Sequence, residues 1–130
     1  MESTEYIPGI CNINKAEIAY RRKAMIIGYF IAGLVFAVIM VGRWSVWVRA
    51  LLVFLPLYVG VINNLQVRNK FCVSYAASGR QNATDGDASA SDISDEASRQ
   101  TDKAKARTMN LQALGITVLV LAISLLIPAL

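Results

Sequence analysis

Two cysteines, Cys11 and Cys72, and the absence of histidine set the chemistry open to this sequence. Histidine is the commonest general base near neutral pH and the commonest metal ligand, so its absence removes most acid–base and zinc templates. A thiolate, by contrast, can act as nucleophile, redox partner or metal ligand. The pair lacks CxxC spacing, and three readings stay open. Both can be small packing residues, as free cysteine commonly is. They can form a redox or reactive pair, with Arg21, Arg22, Arg68 and Lys70 near in sequence to favour the thiolate. They can bind a metal, which requires a homodimer to complete four thiolates. A standing disulfide conflicts with a reducing cytoplasm, and acylation of a juxtamembrane cysteine applies only in a eukaryotic host.

Other catalytic templates fail. The chain has no Ser/His or Cys/His pair, no HExxH, no Walker loop and no GxGxxG. Glu17 is the nearest base in sequence for a cysteine nucleophile. No catalytic residue is assigned, no metal or other cofactor is expected, and an enzyme is the less favoured class.

The elements that must position these residues follow from hydropathy. The chain has 130 residues, 55% of them hydrophobic, with a mean hydropathy of +0.46. A soluble domain carries roughly 45–50% apolar residues, and here the excess is concentrated in blocks. Residues 24–42 and 111–130 are uncharged, and a membrane-crossing helix needs roughly 20 such residues. Residues 44–62 make a third span if Arg49 lies near one interface, its guanidinium reaching the headgroups. Trp44 and Trp47 favour that interface, and a membrane helix tolerates Pro56 and Gly60. The first block starts too late and runs too long for a cleavable signal peptide.

The expected fold is an all-α membrane protein with three transmembrane helices, the first two an antiparallel hairpin with cytoplasmic helical extensions. Residues 1–14 form an N-terminal cytoplasmic segment, and residues 15–42 a helix carrying the first span. Residues 43–78 carry the second span and an extension stopped at Ser78-Gly79. Residues 79–91, rich in Ala, Ser, Asp, Gly and Asn, read as a flexible linker. Residues 92–130 form a helix that includes the third span, with Asp95 and Arg99 spaced i,i+4 at its start. At the head of the first helix Asn14 is placed to cap, Glu17 stands at the third helical position, and Ile13 can staple against Ile18.

Lysine and arginine set the orientation. Lys15, Arg21, Arg22 and Lys23 precede the first span, and Arg68, Lys70, Arg80, Arg99, Lys103, Lys105 and Arg107 lie between the second and third. Only Arg43 and Arg49 lie in the intervening turn region. The positive-inside rule then places the N-terminus and the long loop in the cytoplasm, with the C-terminus at the outer face of the inner (plasma) membrane. The net charge of +4 suits contact with anionic headgroups, with Arg21, Arg22, Lys23, Trp44, Trp47 and Arg49 as lipid-headgroup or interface residues. Nucleic acid is not an expected partner, because no aromatic-lined basic surface is present. An antiparallel pair folded about Arg43 also brings Cys11 and Cys72 to comparable heights above the membrane.

Two motifs, Cys11-Asn12-Ile13 with Glu17-Ile18 and Gln66-x-Arg68-x-x-Phe71-Cys72-Val73, resemble those of small uncharacterised bacterial three-span membrane proteins. The resemblance implies a bacterial inner-membrane protein and carries no activity, so it transfers no functional residue. In the first span Ala24, Gly28 and Ala32, with Gly33 and Ala37 beside them, form a small-residue face that lets helices approach closely. The expected role is therefore accessory, structural or interactive, within a homo- or hetero-oligomeric membrane assembly. An oligomeric pore or small transporter is one alternative, although the spans hold no ionisable group besides Arg49. A cytoplasmic-face thiol redox or metal-binding protein using Cys11 and Cys72 is the other.

Overall fold

Each long helix begins where the chain supplies an oxygen to cap it. The computed structural model describes residues 5–84 and 89–128. Residues 1–4 of the N-terminal segment, 85–88 of the expected linker and 129–130 of the last span lie outside the described residues. Helix α1, Lys15–Gly42, starts at Asn14, whose side chain accepts the Glu17 N–H. Helix α2, Val46–Asn69, starts at Ser45, whose hydroxyl accepts from Val48. Both endings use a residue in the left-handed region, Arg43 (φ 53) and Lys70 (φ 52), to turn the chain out of the helix. Helix α4, Glu96–Leu125, starts at Asp95, which accepts the Ser98 N–H. Asp95 is therefore a cap, and Arg99 instead meets Glu96 at 3.8 Å.

All three are long and apolar enough to cross a membrane. Between 22% and 28% of each apolar stretch is buried within the fold, leaving most of its surface for a bilayer to cover. Helices α1 and α2, joined by residues 43–45, pack along each other, and α4 packs against α2. Ala32, Ile39, Val53, Leu57, Val61, Ala113 and Leu121 form the core between them. The tightest contact is at Gly28. A Cβ there would stand 2.7 Å from the Gly60 nitrogen, and one at Gly60 would stand 2.5 Å from the Tyr29 ring. Small residues thus set the α1–α2 distance.

Three expected boundaries move, the last helix starting at Glu96 rather than at residue 92 because Ser91–Asp92 is held as a strand. The second helix does not run on to Ser78: it ends at Asn69, and a separate short helix α3, Val73–Ser78, follows an extended step at Cys72. The cause is competition for backbone hydrogen bonds. The N-terminal segment takes the Lys70 carbonyl and the Cys72 N–H, which a continuous helix needs for itself. The expected linker over residues 79–91 is packed at both ends. Strand β1, Arg80–Gln81, pairs antiparallel with β2, Ser91–Asp92. Asn82, Ala83 and Ile93 are buried beside that pair.

A second core joins α3 to the lower part of α4, with Phe71, Ala76, Ala106 and Met109. Along α4 the buried residues Asp102, Ala106, Met109, Ala113, Thr117 and Leu121 fall at helical spacing, so one stripe serves both cores. Gly28→Ala is expected to destabilise the fold by about 1–3 kcal/mol through overpacking. Gly33→Ala, where an added Cβ meets nothing within 4 Å, should stay within about 0.5 kcal/mol. Denaturant unfolding in mixed micelles, followed by tryptophan fluorescence, measures both.

Candidate functional site

The polar residues that sequence leaves scattered meet at the end of the helices that carries α3. Asn12 is fully buried and uses both its backbone and its side chain. Its N–H donates to the Lys70 carbonyl (3.1 Å), and its own carbonyl accepts from the Asn82 N–H (2.8 Å). Its amide oxygen accepts the Cys72 N–H (2.6 Å) while its amide nitrogen donates to the Cys72 carbonyl (3.0 Å). One side chain therefore copies a strand neighbour for a residue 60 positions away. Gln66 supports the same junction: its carbonyl accepts from Phe71 and its side-chain oxygen accepts the first N–H of α3, from Val73 (3.1 Å). Val73 thus obtains from α2 the cap that the Cys72 side chain does not provide.

Around this junction lies a charged cluster. Arg21, on the second turn of α1, pairs with Glu17 and donates to the Cys72 sulfur at 2.9 Å. Its guanidinium also stands 5.5 Å from the centre of the Tyr75 ring. Glu17 accepts further from the Tyr75 hydroxyl (3.3 Å) and from the Asn82 amide (3.2 Å). Partial burial, together with the Glu17 carboxylate, pushes the Tyr75 phenol above its ordinary range. Asn14, besides capping α1, donates to the Thr84 carbonyl (3.0 Å).

A third piece closes the end. Ile7 and Cys11 pair through their backbones, and the Ile10 N–H reaches the Ile7 carbonyl around Pro8-Gly9. Proline followed by a residue of positive φ suits a type II turn, and Gly9 has φ +71. The Gly9 N–H donates to Asp102 at 2.7 Å, and the Tyr6 hydroxyl donates to the other carboxylate oxygen at 2.8 Å. Asp102 has no exposed surface. Partial burial, then the Asp102 carboxylate, raises the Tyr6 phenol well above its ordinary value.

The two sulfurs face different partners. Cys11 is directed at the Ile13 carbonyl (3.5 Å) and Cys72 at Arg21; both are free and buried. Among the described residues no group of three His, Cys, Asp or Glu side chains is placed to hold a metal. In the interior cluster the carboxylates, amides and guanidinium named above are engaged with protein groups. That arrangement holds chain segments together.

The expected interface residues divide. Arg22, Lys23, Trp44 and Trp47 are exposed. Arg21 and Arg49 are buried within the chain. Arg21 is drawn inward by Glu17 and Cys72. Arg49 is 2% exposed and donates to the carbonyls of Ser124 (3.0 Å) and Ile127 (2.9 Å), with its charge 5.9 Å from the Phe36 ring centre. A cation at a helix C-terminus adds donors to the terminal carbonyls and complements the negative end of the helix dipole. The small-residue face divides too: Gly28 and Ala32 are buried against α2, Ala24 is half-buried, and Gly33 and Ala37 are exposed. Sequence reasoning missed Asn12, Gln66, Asn82 and the Tyr6–Asp102 pair. Asn12 and Gln66 stood in the two quoted motifs without a role, and Asp102 carried a signal as a carboxylate on the apolar stripe that continues through Ala106 and Met109.

With this geometry in view, the chain matches no protein-family model, no curated protein and no solved structure.

Asn12→Ala leaves the N–H and carbonyl of Cys72 without their partners and should cost about 2–4 kcal/mol, read by the same micelle unfolding assay. Alkaline pH offers a second test. Tyr6 and Tyr75 are held protonated in the folded chain, while the unfolded chain ionises them near 10.0. Their contribution is complete below that pH and is lost as pH rises beyond it. The melting temperature should therefore fall above pH 10.0, and Tyr6→Phe should flatten that fall.

Proposed function

We propose that the chain is a small multi-pass integral membrane protein with an accessory, structural or interaction role in an oligomeric assembly of the bacterial inner membrane. In this reading α1 and α2 form an antiparallel hairpin, and α4 is the third span. The N-terminus, α3 and the start of α4 are cytoplasmic extensions, and the C-terminus lies at the outer face. Lys15, Arg22, Lys23, Arg68, Lys70 and the cations that open α4 support that orientation.

The division of the α1 small-residue face carries the assembly reading. Gly28 and Ala32 are consumed by packing within the chain, while Gly33 and Ala37, one turn apart, remain exposed. Gly33 also borders an open apolar groove of about 340 Å³ between α1 and α4, floored by Val53 and Leu57 of α2. In lipid, exposed small residues let a second helix approach closely enough for van der Waals packing to hold it. The thiol reading has less support, since Cys11 and Cys72 are 7% and 1% exposed and face different partners.

Energy transfer between labelled copies in proteoliposomes tests the proposal. The native chain should associate as the protein-to-lipid ratio rises, and Gly33→Leu with Ala37→Leu should weaken association about tenfold or more, equivalent to ~1.4 kcal/mol. Photo-crosslinking from position 33 in cell membranes should capture a second helix, from another copy or from another membrane protein. Unchanged association in the double variant, with no crosslink from position 33, would sink the reading.

A further inference from the structure

Where α4 leaves its polar first half, its cations line up along a groove. Lys103 and Arg107, one turn apart, share that groove with Asn110 and Leu111 of the next turn, and Val73 and Ala77 of α3 form the opposite wall. Its volume is about 380 Å³, and no carboxylate lines it. Lys103 and Arg107 are exposed, and neither takes part in an ion pair among the described residues. Asn110 accepts the Tyr58 hydroxyl through its side-chain oxygen (3.1 Å), so its amide N–H groups remain to donate. Two cations and an amide therefore present donors to one concave space.

The groove also runs in a particular direction. A helix rises about 1.5 Å per residue, so the stripe from Lys103 to Leu111 covers roughly 12 Å along α4. It ends where the uncharged stretch begins, at Leu111 and then Leu114, which are 64% and 44% exposed. A polar anion seated between Lys103 and Arg107 would have apolar helix surface immediately below it. A molecule with a negative head and hydrocarbon tails fits both halves; a soluble anion uses only the first.

We infer that the α3–α4 groove binds the phosphate headgroup of an anionic phospholipid, with its acyl chains lying along Leu111 and Leu114. Lys103 and Arg107 neutralise the phosphate, Asn110 donates to its oxygens, and the Ala77 wall keeps the pocket narrow. The inference rests on α4 crossing the membrane and is independent of self-association. Resistance of the protein to carbonate extraction from membranes checks that crossing separately.

Native mass spectrometry of the detergent-purified chain with phosphatidylglycerol, phosphatidylcholine or glycerol phosphate tests the site. One phosphatidylglycerol should be retained in preference to phosphatidylcholine. Lys103→Gln with Arg107→Gln should reduce that retention roughly 10- to 30-fold. Ala77→Phe, which fills the groove from its outer wall and removes no charge, should reduce it as well. Arg22→Gln with Lys23→Gln removes the same charge at the α1 border and should leave it unchanged. Equal loss in both charge variants would reduce the effect to general attraction and overturn the site. Retention of phosphatidylcholine as strong as that of phosphatidylglycerol would overturn the anionic headgroup. Displacement of the lipid by equimolar glycerol phosphate would assign the groove to a soluble phosphate instead.

Discussion

A backbone that leaves one helix and enters another must find partners for the groups freed at the break, and Asn12 meets that need here. Its side chain pairs with both polar groups of Cys72, and its main chain pairs with Lys70 and Asn82. Four segments depend on it: the N-terminal stretch, the end of α2, the start of α3 and the residues just past β1. Without such a partner the freed groups would be buried unsatisfied, at roughly 1–3 kcal/mol each. The break at Lys70 is thus stable because the N-terminal segment is present. Phe71 and Ala76, which the break turns inward, then build the second core with Ala106 and Met109 of α4.

The apolar and polar parts of the molecule are held together by different devices. In the apolar part, hydrophobic burial between helices gains little against lipid, so close approach decides packing. Gly28 against Gly60 supplies it. Arg49 follows from the same constraint. The chain end at α4 has few backbone donors left for its carbonyls, and a guanidinium brought in from α2 adds one to Ser124, beside the Ile127 N–H, and one to Ile127 just past the helix. Its Nε remains buried without a partner, the one such side-chain atom among the described residues. At the polar end the core is instead built on amides and carboxylates. Glu17 accepts from Asn82, Tyr75 and Arg21, so its negative charge and the positive charge of Arg21 offset each other within the cluster.

What sequence reveals follows from whether the information is local. The three apolar stretches and the Asn14 cap with Glu17 in the first turn are local, and each could be read directly. The end of α2 was not, because nothing between Asn63 and Ser78 says that residue 12 will compete for its hydrogen bonds. The Ala/Ser/Asp/Gly composition of residues 79–91 marks a segment with little of its own to bury. It does not reveal that Asn82 and Ala83 fill space left by other segments. Arg21 and Arg49 show the same limit for charge: sequence places a cation near a border, and partners elsewhere decide whether it faces lipid. The interior cluster was therefore legible as residues but not as an arrangement.

The inward turn of those two arginines bears on the orientation argument itself. A cation bound by protein carbonyls or a carboxylate exerts less pull on a headgroup, so each drops out of the balance on its own side of the apolar stretches. Arg21 leaves the side of Lys15, Arg22 and Lys23; Arg49 leaves the side of Arg43. The asymmetry survives, because Arg68, Lys70, Lys103 and Arg107 remain on the first side. It also becomes more uneven in space. The exposed charge of α4 lies on the turns just before its apolar half, beside the α3 wall. Basic residues so placed hold their charge at one level of the fold and in one groove, which is the arrangement on which the inferred headgroup site depends.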